Sequence, residues 1–362
     1  METESIFQSV KLKKMPNIQI NKPLKRKISI VLNNLWKIRH PDKPIPSQQQ
    51  LAQLNTTLSR IYSITKYPKT CGFPPNISQE VTTARNKFLI RDRDQKILRN
   101  STICFFGLSV GSHAALTWMM ESRANVIKIS DPDMVDATNL NRLRFGWKNI
   151  GQSKVSVVEK QLLEINPDAQ IQTLARTDFS KVEKFIKNPP LPSAIVDEID
   201  DIGGKALLRK IAKQLKIPVL MAADVGDNIV LDIERYDHRP IPQPFLGRIA
   251  FTESADIAKL SVSEQVRLII QLVGFDQNSI SMLDSLLAVG KTIPTWPQLG
   301  ATATISGGII TTGLKKILLG EKVLSGRYYF SLDDILVADN NSKITQNNRQ
   351  KLIGIIKNKY SL

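Results

Sequence analysis

From residue 101 onward, short apolar runs alternate with longer amphipathic stretches. The apolar runs are ICFFG (103–107), NVIKIS (125–130), IQTLA (171–175), AIVD (194–197), PVLMAA (218–223) and NIVLDIERY (228–236). Runs of this length predict strands that are buried on both faces. Between them, helices are predicted at 113–122, 153–166, 179–187 and 203–216, and the second of these places Val155, Val158, Leu162 and Ile165 on one stripe. Strands alternating with helices predict an α/β fold, a Rossmann-like, doubly wound and mostly parallel sheet.

The first hundred residues follow another pattern. SQQQLAQLNTTLSRIYSITK (47–66) spaces leucines at helical intervals and predicts one amphipathic helix, with prolines on both sides of it. We divide the chain into an N-terminal extension (1–84), an α/β domain (85–335) and a C-terminal tail (336–362).

The net charge of +17 is concentrated at the N-terminus, where residues 1–100 hold 19 Lys/Arg and 6 Asp/Glu. A basic segment such as KPLKRK could contact nucleic acid, an anionic membrane or an acidic partner protein. Aromatic residues are not interleaved with the basic ones and no zinc-finger pattern is present, so we favour a solvated basic region over nucleic-acid binding.

Targeting and cysteine patterns predict a cytoplasmic protein. No apolar run has the length that a bilayer requires, and METESIFQSVKLKK lacks the pattern of a signal peptide. The two cysteines, Cys71 and Cys104, provide neither a disulfide framework nor a zinc quartet, so no zinc is expected.

A glycine-bearing turn follows the first predicted strand. Gly107 and Gly111 flank Leu-Ser-Val before a helix, and glycines let a backbone approach a phosphate closely at a helix N-terminus. Two glycines alone are a weak signal, because such turns are often purely structural. Asp131 lies 20 residues further on, at the end of the next strand, where a carboxylate can bind ribose hydroxyls. Together, these features predict adenine-nucleotide binding.

The nucleotide could be NAD or ATP. Asn139, Arg142 and Lys154 add an amide and two cations to the same edge of the sheet, and clustered donors of this kind suit a triphosphate. As ordinary alternatives, Arg142 could pair with a surface carboxylate and Lys154 could face solvent. A lysine in the first turn of a helix is unfavourable unless an anion lies nearby, which favours a functional role.

A third polar segment, IVDEIDD (195–201), follows the predicted fourth strand. Asp197 and Asp200 could each hold the Mg²⁺ that accompanies a nucleoside triphosphate. The segment could equally be an acidic loop in which Asp201 caps the next helix.

These motifs together resemble the ThiF/HesA family of adenylyltransferases, which are related to ubiquitin-activating enzymes and to activators of sulfur-carrier proteins. The order is GLSVGS, DPDMVDATNLNR, GQSK, VDEIDD and PVLMAADVGD, and the acid-rich pattern is matched by Asp131, Asp133, Asp136, Asn139, Leu140 and Arg142. TWPQLGATATISGGIITTG (295–313) resembles the family's last core helix. The resemblance covers roughly residues 85–335 and is nearest to a stand-alone bacterial type.

The resemblance implies an ATP-dependent adenylyltransferase. In that view Asp131 binds the ribose, Asn139, Arg142 and Lys154 contact the phosphates, and Asp200 binds Mg²⁺. Gly107, Ser109, Gly111 and Asp133 complete the nucleotide site, with Arg142, Lys154 and Asp200 as the catalytic residues. A carboxylate, usually the C-terminus of a small protein or peptide, would attack the α-phosphate. The family also implies a homodimer, with Arg85 as the weakly matched arginine lent to the partner.

The sequence departs from the family pattern in three ways. Ser109 stands where a glycine is usual, in a turn that is one residue shorter. The zinc-binding cysteine pairs of many relatives are absent. No cysteine follows Cys104, so a thioester-forming cysteine in the usual downstream loop is excluded.

Two alternatives come from other classes. A dinucleotide-dependent oxidoreductase accounts for Gly107, Gly111 and Asp131 but gives Asn139, Arg142 and Lys154 no task. A nucleotide-binding pseudoenzyme scaffold would bind the nucleotide and use the basic extension to recruit an acidic partner.

Overall fold

The computed structural model describes residues 22–362 except 45, 48, 51–69, 71–72, 176–178, 250–259 and 276–277. Cys71 and most of the helix predicted at 47–66 lie outside the described residues. The chain divides into two compact units, Met1–Arg93 and Asp94–Leu362.

The described part of the first unit contains two α-helices, α1 (Lys22–Arg39) and α2 (Pro75–Thr82), and a 3₁₀ turn (Ala84–Asn86) that holds Arg85. Leu32, Leu35 and Trp36 of α1 are buried. The Arg39 guanidinium donates two hydrogen bonds to the carboxylate of Glu80, at 2.8 and 2.7 Å, which joins the ends of α1 and α2.

The second unit is built on one seven-stranded sheet. Its strands are β1 (Ile103–Phe106), β2 (Val126–Ser130), β3 (Gln170–Leu174), β4 (Ala194–Asp197), β5 (Pro218–Val225), β6 (Asn228–Arg235) and β7 (Gly326–Phe330). The order across the sheet is β3-β2-β1-β4-β5-β6-β7. Strands β1 to β5 are parallel, with Phe105 paired to Ile129 on one side and to Val196 on the other. Strands β6 and β7 are antiparallel additions.

The α-helices of this unit begin with α3 (Asp92–Asn100), whose first two residues belong to the first unit. The others are α4 (Val110–Ser122), α5 (Lys154–Ile165), α6 (Phe179–Lys187), α7 (Ile202–Leu215), α8 (Val262–Val273), α9 (Ile280–Ala288), α10 (Gly300–Leu318), α11 (Leu332–Leu336) and α12 (Lys343–Tyr360). The predicted doubly wound, mostly parallel sheet is confirmed, with each predicted strand lying within two residues of its predicted ends. Strand β7 was not predicted, because its GRYYF sequence is half exposed and shows no alternation.

Helix α10 explains the small residues of the TWPQLGATATISGG segment. A Cβ placed on Gly307 would lie 2.6 Å from the Cβ of His113 and 2.9 Å from the amide nitrogen of Ala114. Any side chain at Gly307 would therefore separate α10 from α4, the helix that follows the glycine turn.

Helix α12 occupies most of the predicted C-terminal tail, residues 336–362. Its Ile353 and Ile356 pack in one apolar cluster with Met282 and Leu286 of α9. Among the residues that the structure describes, no helix has the length and hydropathy needed to span a membrane.

Candidate functional site

Asp131 joins the turns that follow strands β1 and β2. Its carboxylate accepts the backbone N–H of Leu108 at 2.5 Å and that of Asp133 at 2.8 Å, while only 3% of the residue is exposed. Burial raises the pKa of Asp131, and nearby Lys154 partly offsets this effect. Asp131 therefore fixes the glycine turn against the polar loop.

Lys154 is the first residue of α5, and its ammonium group faces carboxylates. Its Nζ lies 2.8 Å from Oδ2 of Asp133 and 3.9 Å from Oδ1 of Asp131, and its side chain is 8% exposed. A cation at a helix N-terminus is opposed by the helix dipole, so these two acids compensate an unfavourable placement. The alternative of a solvent-facing lysine is excluded.

The loop that carries Asn139 is held by a cap. Asp136 accepts the backbone N–H of Thr138 at 2.7 Å, and the side-chain oxygen of Asn139 accepts the backbone N–H of Asp136 at 3.1 Å. This reciprocal pair starts the 3₁₀ helix Ala137–Asn141. Asp136, which the family pattern matched without explaining, is therefore a capping residue.

Arg142 follows this short helix. Its Nη1 donates to the carbonyl of Thr138 and to Oδ1 of Asn141, each at 3.0 Å. Its Nε is buried and has no hydrogen-bond partner. Part of the guanidinium therefore remains available to an anion, because these two hydrogen bonds are to neutral oxygens.

The glycine turn brings the backbones of two strands into contact. Gly107 has φ of +83°, and a Cβ there would lie 2.3 Å from the carbonyl oxygen of Glu198. Glycine is required for both reasons. Helix α4 then begins without a side-chain cap, and the Oγ of Ser109 is buried without a partner. The first backbone N–H groups of α4 are thus available for an anion.

The two candidate metal ligands after β4 have different surroundings. Asp197 is fully buried and forms ion pairs with Lys205, at 3.2 Å, and with Arg209. Asp200 is exposed and lines a cavity. Asp201 accepts the backbone N–H of Gly204 and caps α7, as the ordinary alternative proposed. Asp197 is consequently an internal ion-pair partner, and Asp200 remains the candidate ligand.

One cavity of about 290 Å³ lies at the carboxyl ends of β1, β2, β4 and β5. It brings together six of the predicted site residues: Ser109, Asp133, Asn139, Arg142, Lys154 and Asp200. Gly107, Gly111 and Asp131 do not line it and support it from behind. Ligands of open α/β sheets bind at this edge.

The cavity also contains two acids that the sequence interpretation missed. The carboxylate of Glu198 accepts the backbone N–H of Ala222 at 2.7 Å, and burial raises its pKa well above the usual value. Asp224 accepts the hydroxyl of Ser306 at 2.6 Å, its Oδ2 is buried without a partner, and burial raises its pKa to about 6. The sequence could have indicated both acids, because each follows or ends a predicted strand, β4 or β5, at the edge of the sheet where ligands bind.

The residues of this cavity fit a Mg²⁺ ion that is bound together with a nucleotide better than one that is bound by protein ligands alone. Within the described ranges, no three His, Cys, Asp or Glu side chains are grouped closely enough to hold a metal ion. Mg²⁺ in nucleotide sites uses one or two carboxylates together with phosphate oxygens. Asp200 can provide such a carboxylate, but the predicted Mg²⁺ is not confirmed.

This fold and site define a doubly wound α/β domain with a polar cavity at its strand ends, lined by Arg142, Lys154 and the N-terminus of α4. The ThiF family model matches residues 83–351, and the chain belongs to that family. The domain is thus of the ThiF adenylyltransferase type, and the family match does not favour the oxidoreductase alternative.

Over the aligned segments, curated relatives are about a quarter identical to the chain. It is 27% identical to an uncharacterized protein of Mycobacterium tuberculosis over 67% of this chain and 33% of that protein. It is 26% identical to the tRNA threonylcarbamoyladenosine dehydratase of Bacillus subtilis over 51% of this chain and 72% of that enzyme. The match to a probable molybdopterin-synthase adenylyltransferase of Gracilaria tenuistipitata has 28% identity and covers 33% of this chain and 34% of that protein. The chain thus spans about a third of the length of two of these relatives.

Among solved structures, the chain is similar to PaaA. The two align with a TM-score of 0.50 and 17% identity over 78% of this chain and 89% of PaaA. This similarity supports the fold.

Proposed function

We propose that the protein adenylates a substrate carboxylate with ATP and releases pyrophosphate. One observation carries the proposal: Arg142, Lys154, Asp200 and the uncapped N-terminus of α4 meet at a single cavity. A site for a dinucleotide needs the acid after β2 and the turn after β1, but it has little use for the additional cations.

In the proposed reaction, a carboxylate oxygen attacks the α-phosphorus of ATP. The new bond joins this oxygen to phosphorus, the bond from phosphorus to the bridging β-phosphate oxygen breaks, and pyrophosphate leaves with the electron pair. The product is an acyl-adenylate, a mixed anhydride that a nucleophile can open. A bare carboxylate is a poor electrophile, so activation of this kind has a clear chemical purpose.

The chain's own residues would bind and orient the nucleotide. Arg142, Asn139 and the first N–H groups of α4 face the phosphates, with Ser109 replacing the usual glycine. Fixed donors at positions where negative charge develops stabilise such a transition state. Lys154 keeps Asp133 in place and adds positive charge, while Asp131 supports the ribose end. Asp200 would hold Mg²⁺, which neutralises phosphate charge when it is bound.

For the carboxylate, we propose the C-terminus of a small protein or a peptide. Two relatives have names that indicate a protein substrate: the probable molybdopterin-synthase adenylyltransferase, and the ubiquitin-like modifier-activating enzyme 5 of Caenorhabditis briggsae, which is 29% identical over 30% of this chain and 26% of that protein. Cys104 is fully buried and its thiol pKa is raised to about 12, so it is not a nucleophile. The adenylate would pass directly to its acceptor. A homodimer, a contribution from Arg85 and a cytoplasmic location remain predictions.

ATP–pyrophosphate exchange tests this function. With a suitable carboxylate and Mg²⁺, the protein should incorporate labelled pyrophosphate into ATP, and Arg142→Ala and Asp200→Asn should abolish the exchange. Matched controls are Arg144→Ala on the same loop and Asp227→Asn in the turn after β5, both exposed. Exchange at the wild-type rate in both site variants would refute the assignment. Nucleotide binding without exchange, over a wide panel of carboxylates, would instead support the pseudoenzyme alternative.

A further inference from the structure

The cavity has two halves that differ in chemistry. Its polar half follows strands β1 and β2 and holds Ser109, Asn139, Arg142 and Lys154. The other half lies beyond β5, where α8, α9 and the segment before α10 form an apolar wall. This wall consists of Ile269, Ile270, Leu272, Met282, Leu286 and Trp296.

The triphosphate does not fit the apolar half. The lysine that lines this side, Lys205, is already ion-paired with the buried Asp197 at 3.2 Å, and the acids Glu198 and Asp224 stand at the border. Phosphates placed there would find no unpaired cation and would lie beside the acidic side chain of Asp224. The nucleotide therefore belongs to the polar half, and the second reactant belongs to the apolar half.

Two buried acceptors at this border have no partner among the described residues. One is Oδ2 of Asp224, and the other is Oδ1 of Asn278, a residue that is 2% exposed and lines the cavity. Buried polar atoms are satisfied in most native structures, so a pair of orphaned acceptors in one cavity indicates a missing donor. An N–H on the carbon next to the reacting carboxylate would provide it.

The apolar wall is backed by the core and not by solvent. Met282 and Leu286 pack with Ile353 and Ile356 of α12, and the side chains of Lys359 and Tyr360 donate to the carbonyl of Leu286 at 3.0 and 3.1 Å. This support keeps the wall in place, so filling the space beside it with a large apolar group would remove that group from water without deforming the fold.

We propose that this half of the cavity binds a large apolar side chain attached next to the reacting carboxylate. The substrate is then an α-aminoacyl carboxylate that ends in a residue such as leucine, methionine or phenylalanine, and not in glycine. Its N–H donates to Asp224 or Asn278 and its carboxylate points toward Arg142. This proposal rests on the adenylation function and specifies its substrate.

The test compares matched carboxylates in ATP–pyrophosphate exchange. Acetyl-glycine, acetyl-leucine and acetyl-phenylalanine differ only in side chain, while free leucine and free phenylalanine show whether the donor is an amide or an ammonium. We expect a KM for the leucine or phenylalanine compounds at least 10-fold below that of the matching glycine compound. Activity with the acetylated forms identifies a peptidyl substrate, and activity with only the free forms identifies an amino acid. Equal KM values, or a preference for glycine, would overturn the proposal.

A variant pair isolates the pocket. Trp296→Ala removes a wall residue that is partly exposed, and Trp147→Ala removes a tryptophan that is 81% exposed and does not line the cavity. We expect Trp296→Ala to raise the KM for acetyl-leucine about 10-fold and to leave the KM for ATP unchanged, whereas Trp147→Ala changes neither. Equal effects of the two variants would count against the pocket.

Calorimetry separates the two levels of the proposal. Acetyl-leucine and acetyl-glycine are titrated into the protein saturated with a non-hydrolysable ATP analogue. Selective binding of acetyl-leucine without any exchange would leave the apolar site standing and refute adenylation. Exchange that is faster with acetyl-glycine than with acetyl-leucine would support adenylation and refute the apolar site.

Discussion

The imidazole Nε2 of His113 lies 2.7 Å from the carbonyl oxygen of Arg142. Because a carbonyl oxygen only accepts hydrogen bonds, Nε2 carries the proton and donates it. The other ring nitrogen, Nδ1, faces the hydroxyl of Thr304. His113 stands in the first turn of α4, so the helix at the nucleotide turn is tied directly to the backbone of the arginine loop. His113 therefore positions the loop that carries Arg142.

Removing this contact should weaken catalysis more than folding. We expect His113→Ala to lower kcat/KM for exchange by about 10- to 100-fold, since small displacements of positioning groups have effects of this size. His113→Gln keeps a donor and should recover part of the loss. A shift confined to thermal stability, with unchanged exchange, would show that the contact is merely structural.

The same histidine should make stability depend on pH. Burial lowers the pKa of His113 below its ordinary value, with Arg144 adding to the effect. The unfolded chain therefore takes up a proton near pH 6.5 while the folded chain does not, and stability falls as pH drops below about 6.5. Thermal melts at pH 7.5 and 5.5 should show a larger decrease for the wild type than for His113→Gln. Identical decreases would contradict this.

Asp224 should give a pH dependence of opposite sign. Its pKa is about 6 in the folded protein, above the ordinary value, so its contribution to stability is present at low pH and is lost as pH rises to about 6. Asp224→Asn removes the titration and keeps an oxygen for Ser306. We expect this variant to melt at least about 2 °C above the wild type at pH 7.5, with a smaller difference at pH 4.5. Asp227→Asn, in the exposed turn, serves as the control.

The sequence and the structure agree wherever a local pattern determined the outcome. The strands were predictable because buried parallel strands are continuous apolar runs, and the order from Asp131 to Arg142 predicted the polar loop. The capping role of Asp136 was also local, because Asp136 and Asn139 have the spacing of a reciprocal cap.

The remainder depended on tertiary contacts. Asp197 and Asp200 are three residues apart, and only the burial of Lys205 and Arg209 against Asp197 distinguishes them. The apolar wall combines α8, α9 and Trp296, whose meeting no spacing along the chain indicates. The sequence could place Asp224 at a strand end, but it could not show that Oδ2 of Asp224 is buried without a hydrogen-bond partner.

A buried lysine offers a test of the fold itself. Lys128 of β2 is fully buried, and its ammonium donates to the carbonyls of Phe185, Ile186 and Asn188 at the end of α6. Burial lowers its pKa. Lys128→Met keeps the volume but leaves three carbonyls without a donor, so we expect a loss of about 2–4 kcal/mol in the free energy of unfolding. Urea titration measures it, and Lys160→Met, which is exposed on α5, should change little.

The ion-pair cluster behind the cavity should be more sensitive still. Arg209 is 1% exposed and bridges Asp197 to Glu234, with its second pair at 2.8 Å. Removing the guanidinium leaves Glu234 without its cation and Asp197 with Lys205 alone, and breaking buried pairs of this kind costs about 3–5 kcal/mol. We therefore expect Arg209→Met to unfold at markedly lower urea concentration, and the double variant Arg209→Met with Glu234→Gln to recover part of the loss, because the charge that lost its cation is then gone. Equal stability of the single and double variants would show that Glu234 is not the charge that Arg209 compensates.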